Sequence, residues 1–82
     1  MDKSWYLYIL RCADGTLYTG IARDVEARFA QHSCGKGAKY TRGRGPLELV
    51  YREECVDHST ALKRELAVKA MSIEEKLNLI KG

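Results

Sequence analysis

The stretch "YLYILRCADGTLYTG" (6–20) decides the fold. Its first half, within "WYLYILRC" (5–12), is rich in aromatic and branched residues, and both of its alternating faces are apolar. That pattern predicts a central strand buried on both sides. Asp14-Gly15 in "ADGT" is a hairpin turn signal, and "LYTG" (17–20) returns as the second strand. Three tyrosines, Tyr6, Tyr8 and Tyr18, therefore sit on one hairpin. The question they raise is whether they only pack or whether some of their hydroxyls do chemistry.

Working outward, Asp24 is placed to cap a helix over 24–33, "DVEARFAQHS". Val25 and Phe29 form its apolar stripe, and Arg28 and His32, four apart, lie beside that stripe. The segment 34–46, "CGKGAKYTRGRGP", reads as a long glycine-rich loop. Leu47–Cys55 reads as a third strand, and a second helix is expected from Ser59 to Ala70, with Ala61, Leu62, Leu66, Val68 and Ala70 on its apolar arc. Glu65 falls near the middle of that arc. "SIEE" from Ser72 is a capping box opening a last short helix, with Leu77 and Ile80 facing inward. The order ββαβαα predicts one small α+β layered domain over 1–82, a three-stranded antiparallel sheet flanked by helices.

Eighty-two residues make one small core, and a domain of that size buries only about 60–65% of its unfolded surface. At 45% hydrophobic and 30% charged, the composition is that of a soluble globular protein. No apolar run approaches the ~18 residues of a membrane span. "MDKSWYLY" lacks the apolar segment of a signal peptide, so a cytoplasmic protein without a membrane partner is expected. Cys12, Cys34 and Cys55 are odd in number and have no zinc-ligand spacing, which points to free thiols in a reducing compartment. Net charge is only +3, but Ser33–Leu47 carries four cations and no acid. Lys36, Lys39, Arg42 and Arg44 around Tyr40 suit a nucleic-acid backbone, or else form a merely solvated loop.

Each candidate site residue has a structural and a chemical reading. A carboxylate at Glu65 is costly on an apolar face unless it is paired. Either it forms a helical pair with Lys69, or it is a single carboxylate ligand for a hard cation such as Mg²⁺. Arg28 either covers the stripe with its stem or binds phosphate oxygens bidentately. His32 either complements the helix C-terminus or moves protons. The tyrosines either pack across strands or, with a cation near the phenol, activate water. Together, Arg28 on a phosphate, Glu65 on a metal and a tyrosine activating water compose one chemistry.

"YLY" (6–8), "YTG" (18–20) and "ARDVEARFAQH" (22–32) resemble the GIY-YIG nuclease superfamily. Tyr8 matches the tyrosine of its first motif, Tyr18 and Gly20 match its second, and Arg28, His32 and Glu65 match the helical positions. "GKGAKYTRGR" looks like the small stand-alone bacterial members. The resemblance implies metal-dependent hydrolysis of phosphodiester bonds in DNA, or RNA. Arg28 would steady the phosphate, Glu65 would hold Mg²⁺, and Tyr8 or Tyr18, helped by His32, would deprotonate water. The motifs depart from the family at Tyr6 and Leu7, Tyr-Leu-Tyr rather than Gly-Ile-Tyr, and at Thr19 in Tyr-Thr-Gly. Ile21 stands where many relatives have lysine, with Arg23 nearby, and Asn78 is the one asparagine available for a supporting role. Larger relatives append DNA-binding domains, so a protein partner supplying extra DNA contacts is a further expectation. A non-catalytic nucleic-acid-binding module is the alternative.

Overall fold

The computed structural model describes residues 4–34 and 45–82. Strand β1 (Trp5–Arg11) lies at the centre of a three-stranded sheet, between β2 (Leu17–Ala22) and β3 (Glu48–Cys55). Both pairings are antiparallel, and β1 meets β3 with an irregularity between Ile9 and Leu10. The expected hairpin turn forms at Asp14-Gly15. Gly15 adopts φ +86, a conformation that costs glycine little, and Asp14 Oδ1 accepts hydrogen bonds from the amide (3.1 Å) and hydroxyl (2.6 Å) of Thr16. Helix α1 (Val25–Ser33) follows β2, while α2 (His58–Lys69) and α3 (Ile73–Lys81) follow β3. No helix among the described residues is long and apolar enough to cross a membrane.

Each helix starts on a side chain that satisfies its free amides. Asp24 accepts from Ala27 N and Asp57 from Thr60 N, while Ser72 and Glu75 form the expected capping box. The helices make three layers with the sheet. Tyr8, Leu10, Ala22 and Val25 form the core under α1, with Tyr6, Tyr18 and Phe29 against it. Leu7, Ile9 and Val68 form the core on the opposite face, under α2 and α3, with Ile21, Met71, Leu79 and Ile80 packed on it. β1 is thus buried on both faces, as its sequence implies. Thr19 is the exception in this core: its buried hydroxyl has no hydrogen-bond partner among the described residues.

Two sequence expectations fail. Leu77 of α3 is 48% exposed rather than inward; Leu79 and Ile80 supply the contacts instead. On α2, Ala61 and Val68 are fully buried as expected, but Leu62 is 41% and Leu66 69% exposed, and Ala70 is exposed too. The half-buried positions beside Ala61 and Val68 are instead Arg64 and Glu65. The physical reason is polar. Glu53 of β3 accepts from Arg64 Nε at 2.9 Å and Nη2 at 3.3 Å, which compensates the partial burial of the guanidinium on that flank of the helix.

Candidate active site

On the α1 face, alternation along β1 and β2 puts Tyr6, Tyr8, Tyr18 and Gly20 on one surface, with Tyr8 directly opposite Gly20. Gly20 is what lets the two site tyrosines lie down on the sheet. A Cβ there would come within 2.6 Å of Tyr8 Oη, 2.8 Å of Tyr8 Cζ and 3.2 Å of Tyr18 Cε2. The last turn of α1 closes over them. Tyr8 Oη and His32 Nε2 are 2.9 Å apart, a buried hydrogen bond. The His32 ring centroid is 6.0 Å from that of Tyr8 and 5.3 Å from that of Tyr18. Arg28, one turn earlier, brings its guanidinium beside the Tyr8 hydroxyl while its Nη1 donates to Gln31 Oε1 at 2.8 Å.

The electrostatics follow from this packing. Burial raises the Tyr8 phenol above its usual value, and neighbouring Tyr18 adds to the rise; Arg28 opposes them, and the charge of Glu65 acts upward. Burial lowers His32, and the positive charge of Arg28 lowers it further. At neutral pH the pair is therefore a protonated phenol against a neutral imidazole, which fits Tyr8 O–H donating to Nε2.

Of the sequence-derived candidates, Tyr8, Tyr18, Arg28 and His32 are brought together, and Glu65 is near enough for its charge to reach Tyr8. Tyr8 and His32 are both 1% exposed, so the partly exposed members are Tyr18, Arg28 and Glu65. Tyr6 packs against the Tyr8 cluster and also lines a cleft of about 490 Å³ with Arg23, Val25 and Arg52. Arg23 opens onto that cleft, and Asn78 is exposed on α3. Lys36, Lys39, Tyr40, Arg42 and Arg44 lie outside the described residues. Cys12, Cys34 and Cys55 are free thiols.

Glu65 carries both readings in one geometry. Its side chain is 17% exposed, and Lys69 Nζ lies 3.5 Å from Oε2. Among the described residues no group of three His, Cys, Asp or Glu could cage a metal ion. A single, partly exposed carboxylate fits a hard cation that keeps its waters and takes substrate phosphate oxygens, as Mg²⁺ does. It does not fit a fully protein-ligated site such as zinc.

Sequence reasoning missed Tyr51, Glu53 and Arg64. Tyr51 Oη donates to Glu53 Oε1 at 2.6 Å, the same carboxylate that holds Arg64. Burial acts to raise the Glu53 carboxyl, but the hydrogen bonds from Tyr51 and Arg64 outweigh it and hold it below its usual value. The alternation of Tyr51 and Glu53 on one strand face was legible; nothing in the spacing links either to Arg64.

Residues 4–78 match the GIY-YIG catalytic domain. The chain belongs to the GIY-YIG family. Membership gives it a nuclease-type catalytic fold in a family that generally works on nucleic acid with a divalent metal. It is 53% identical over 80 residues to a UPF0213 protein of Desulfotalea psychrophila, covering 96% of this chain and 73% of that one. A UPF0213 protein of Cupriavidus pinatubonensis is 52% identical over 77 residues, covering 94% and 86%. Among solved structures, the solution NMR structure of the UPF0213 protein of Bacillus halodurans superposes with a TM-score of 0.62. It is 45% identical, with 95% of this chain and 83% of that one covered. A solution NMR structure from E. faecalis gives a TM-score of 0.67 at 37% identity, covering 96% and 84%.

Proposed function

We propose that this GIY-YIG protein, acting through 1–82 as one domain, is a small Mg²⁺-dependent endonuclease that hydrolyses phosphodiester bonds, of DNA in preference to RNA. The observation that carries the reading is the buried Tyr8–His32 hydrogen bond with Arg28 beside it. A phenol is a poor base near neutral pH. Bonded to a neutral imidazole, it need not be ionised first. As Tyr8 Oη accepts a proton from the attacking water, its own proton passes to His32 Nε2. Tyr18, the more exposed phenol, holds that water against the pair. Arg28 binds the scissile phosphate and stabilises the charge that develops on it. Glu65 would hold Mg²⁺, which when bound polarises phosphate oxygens and makes the water more acidic. Lys36, Lys39, Tyr40, Arg42 and Arg44 carry the basic, aromatic chemistry of a strand contact. A protein partner adds further DNA contacts. The free thiols suit a reducing cytoplasm.

The Lys69–Glu65 pair favours a second reading, a nucleic-acid-binding module in which Glu65 is structural. Cleavage and gel-shift assays on branched and single-stranded DNA separate the two. The endonuclease gives product with Mg²⁺ and none after chelation. Salt-sensitive binding with no product under any divalent metal selects the module.

A further inference from the structure

Ala61 and Val68, two turns apart, are the fully buried spine of α2. At 100° per residue, Arg64 and Glu65 lie about 50° to either side of that spine. The helix packs across β2, β1 and β3, with β2 and β3 at opposite edges of the sheet. Arg64 is tied to Glu53 on β3. Glu65, on the other flank, is thereby turned toward β2, the strand that carries Tyr18 and Gly20.

The apolar pattern of the helix would choose differently. Leu62 and Leu66 lie on the Glu65 flank and farther round, and both are left in solvent. A helix free to roll would bury them, and Glu65 would swing across the spine, under the sheet and away from the tyrosines. With side chains reaching about 6 Å from the axis, a 20° roll moves a carboxylate by about 2 Å.

We propose that Tyr51, Glu53 and Arg64 form a positioning clamp: by holding Arg64 on β3, it sets the roll of α2 that presents Glu65 to the tyrosine side of the site. Glu65 is near enough for its charge to act on the Tyr8 hydroxyl, which lies on the other face of the sheet from Val68. Tyr51 and Glu53 act only through Arg64, and Arg64 only through Glu65. The catalytic consequence rests on the nuclease reading; the positional one does not.

The test is a double-variant comparison on the metal-free protein. The ¹³Cζ resonance of Tyr8 is measured at neutral pH with and without Glu65→Gln, first in the otherwise unaltered chain and then in Arg64→Met. Glu65→Gln is expected to move the resonance in the first background and by less than half as much in the second, with Arg64→Lys intermediate. An equal movement in both backgrounds overturns the clamp. Should Arg64→Met fail to fold, the charge-swapped Glu53→Arg/Arg64→Glu chain takes its place, and loss of the Tyr8 response in that folded protein overturns the clamp equally.

Cleavage is read alongside. In Arg64→Met, kcat with Mg²⁺ is expected to fall at least about tenfold with KM for DNA within about twofold, since an ångström of misplacement costs about 10²-fold. An unaltered kcat overturns the clamp. A wild-type chain that never cleaves defeats the nuclease reading and leaves the resonance comparison to decide the clamp.

Discussion

Arg28→Ala is expected to lower single-turnover DNA cleavage by about 10²–10³-fold, the usual loss when one donor to a developing oxyanion is removed. The fold should survive. Arg28 is only half-buried, its hydrogen-bond partner Gln31 lies on the same helix, and alanine is the better helix former. The apolar contacts of α1 come from Val25 and Phe29, which the change leaves alone. Two terms add to the loss. The phosphate loses a planar, permanently charged donor, and Tyr8 loses the neighbour that opposes the upward push of burial on its phenol. Arg28→Lys should recover only part of the rate, because an ammonium restores charge without the fork. Cleavage by Arg28→Ala at the wild-type rate would remove Arg28 from the chemistry.

Gly20→Ala is expected to damage fold and site together. The added Cβ would sit 2.6 Å from Tyr8 Oη and 2.8 Å from Cζ, closer than real Cβ contacts come. Tyr8 cannot swing aside cheaply, because its ring is buried and its hydroxyl is bonded to His32. Overpacking of this kind costs about 1–3 kcal/mol. In a domain of this size each 1 kcal/mol lowers Tm by about 4–8 °C. Thermal unfolding should show that drop, and the Tyr8–His32 hydrogen bond should be lost from NMR spectra of the folded fraction. Alanine at Gly15 is the contrast. There φ is +86 and no atom lies within 4 Å of the new Cβ, so only local backbone strain is added and the tyrosines stay in place. A Gly20→Ala chain as stable as wild type would mean the sheet yields where the packing says it cannot.

The hairpin was legible because two strong local signals agree: apolar residues on both alternation faces of Trp5–Arg11 and the Asp14-Gly15 turn. The capping box at Ser72 was legible for the same reason, since it is a contact between residues three apart. Spacing put Arg28 and His32, four apart, on one edge of α1; that they would meet Tyr8 and Tyr18 was implied by the family resemblance, because contacts between separate elements leave no mark in local periodicity. What could not be read was the roll of α2. Its apolar arc points at Leu62 and Leu66, yet the buried line is Ala61 and Val68, and a polar contact between Glu53 and Arg64, eleven residues apart and on different elements, ties the neighbouring flank to β3. The same limit applies to Leu77, whose exposure depends on how α3 lies against the sheet rather than on its own pattern. The division between buried Tyr8 and half-exposed Tyr18 also needed the third dimension, because both alternate onto the same face.

The central claim is that the hairpin tyrosines, Arg28, His32 and Glu65 work as one metal-using site. Crystals of the protein soaked in Mn²⁺, with the ion located by its anomalous scattering, test it most directly. The account predicts an ion on the Glu65 carboxylate, on the side facing Tyr18, with Lys69 displaced from its partner. Crystals in which Glu65 keeps Lys69 and manganese binds only elsewhere would contradict it.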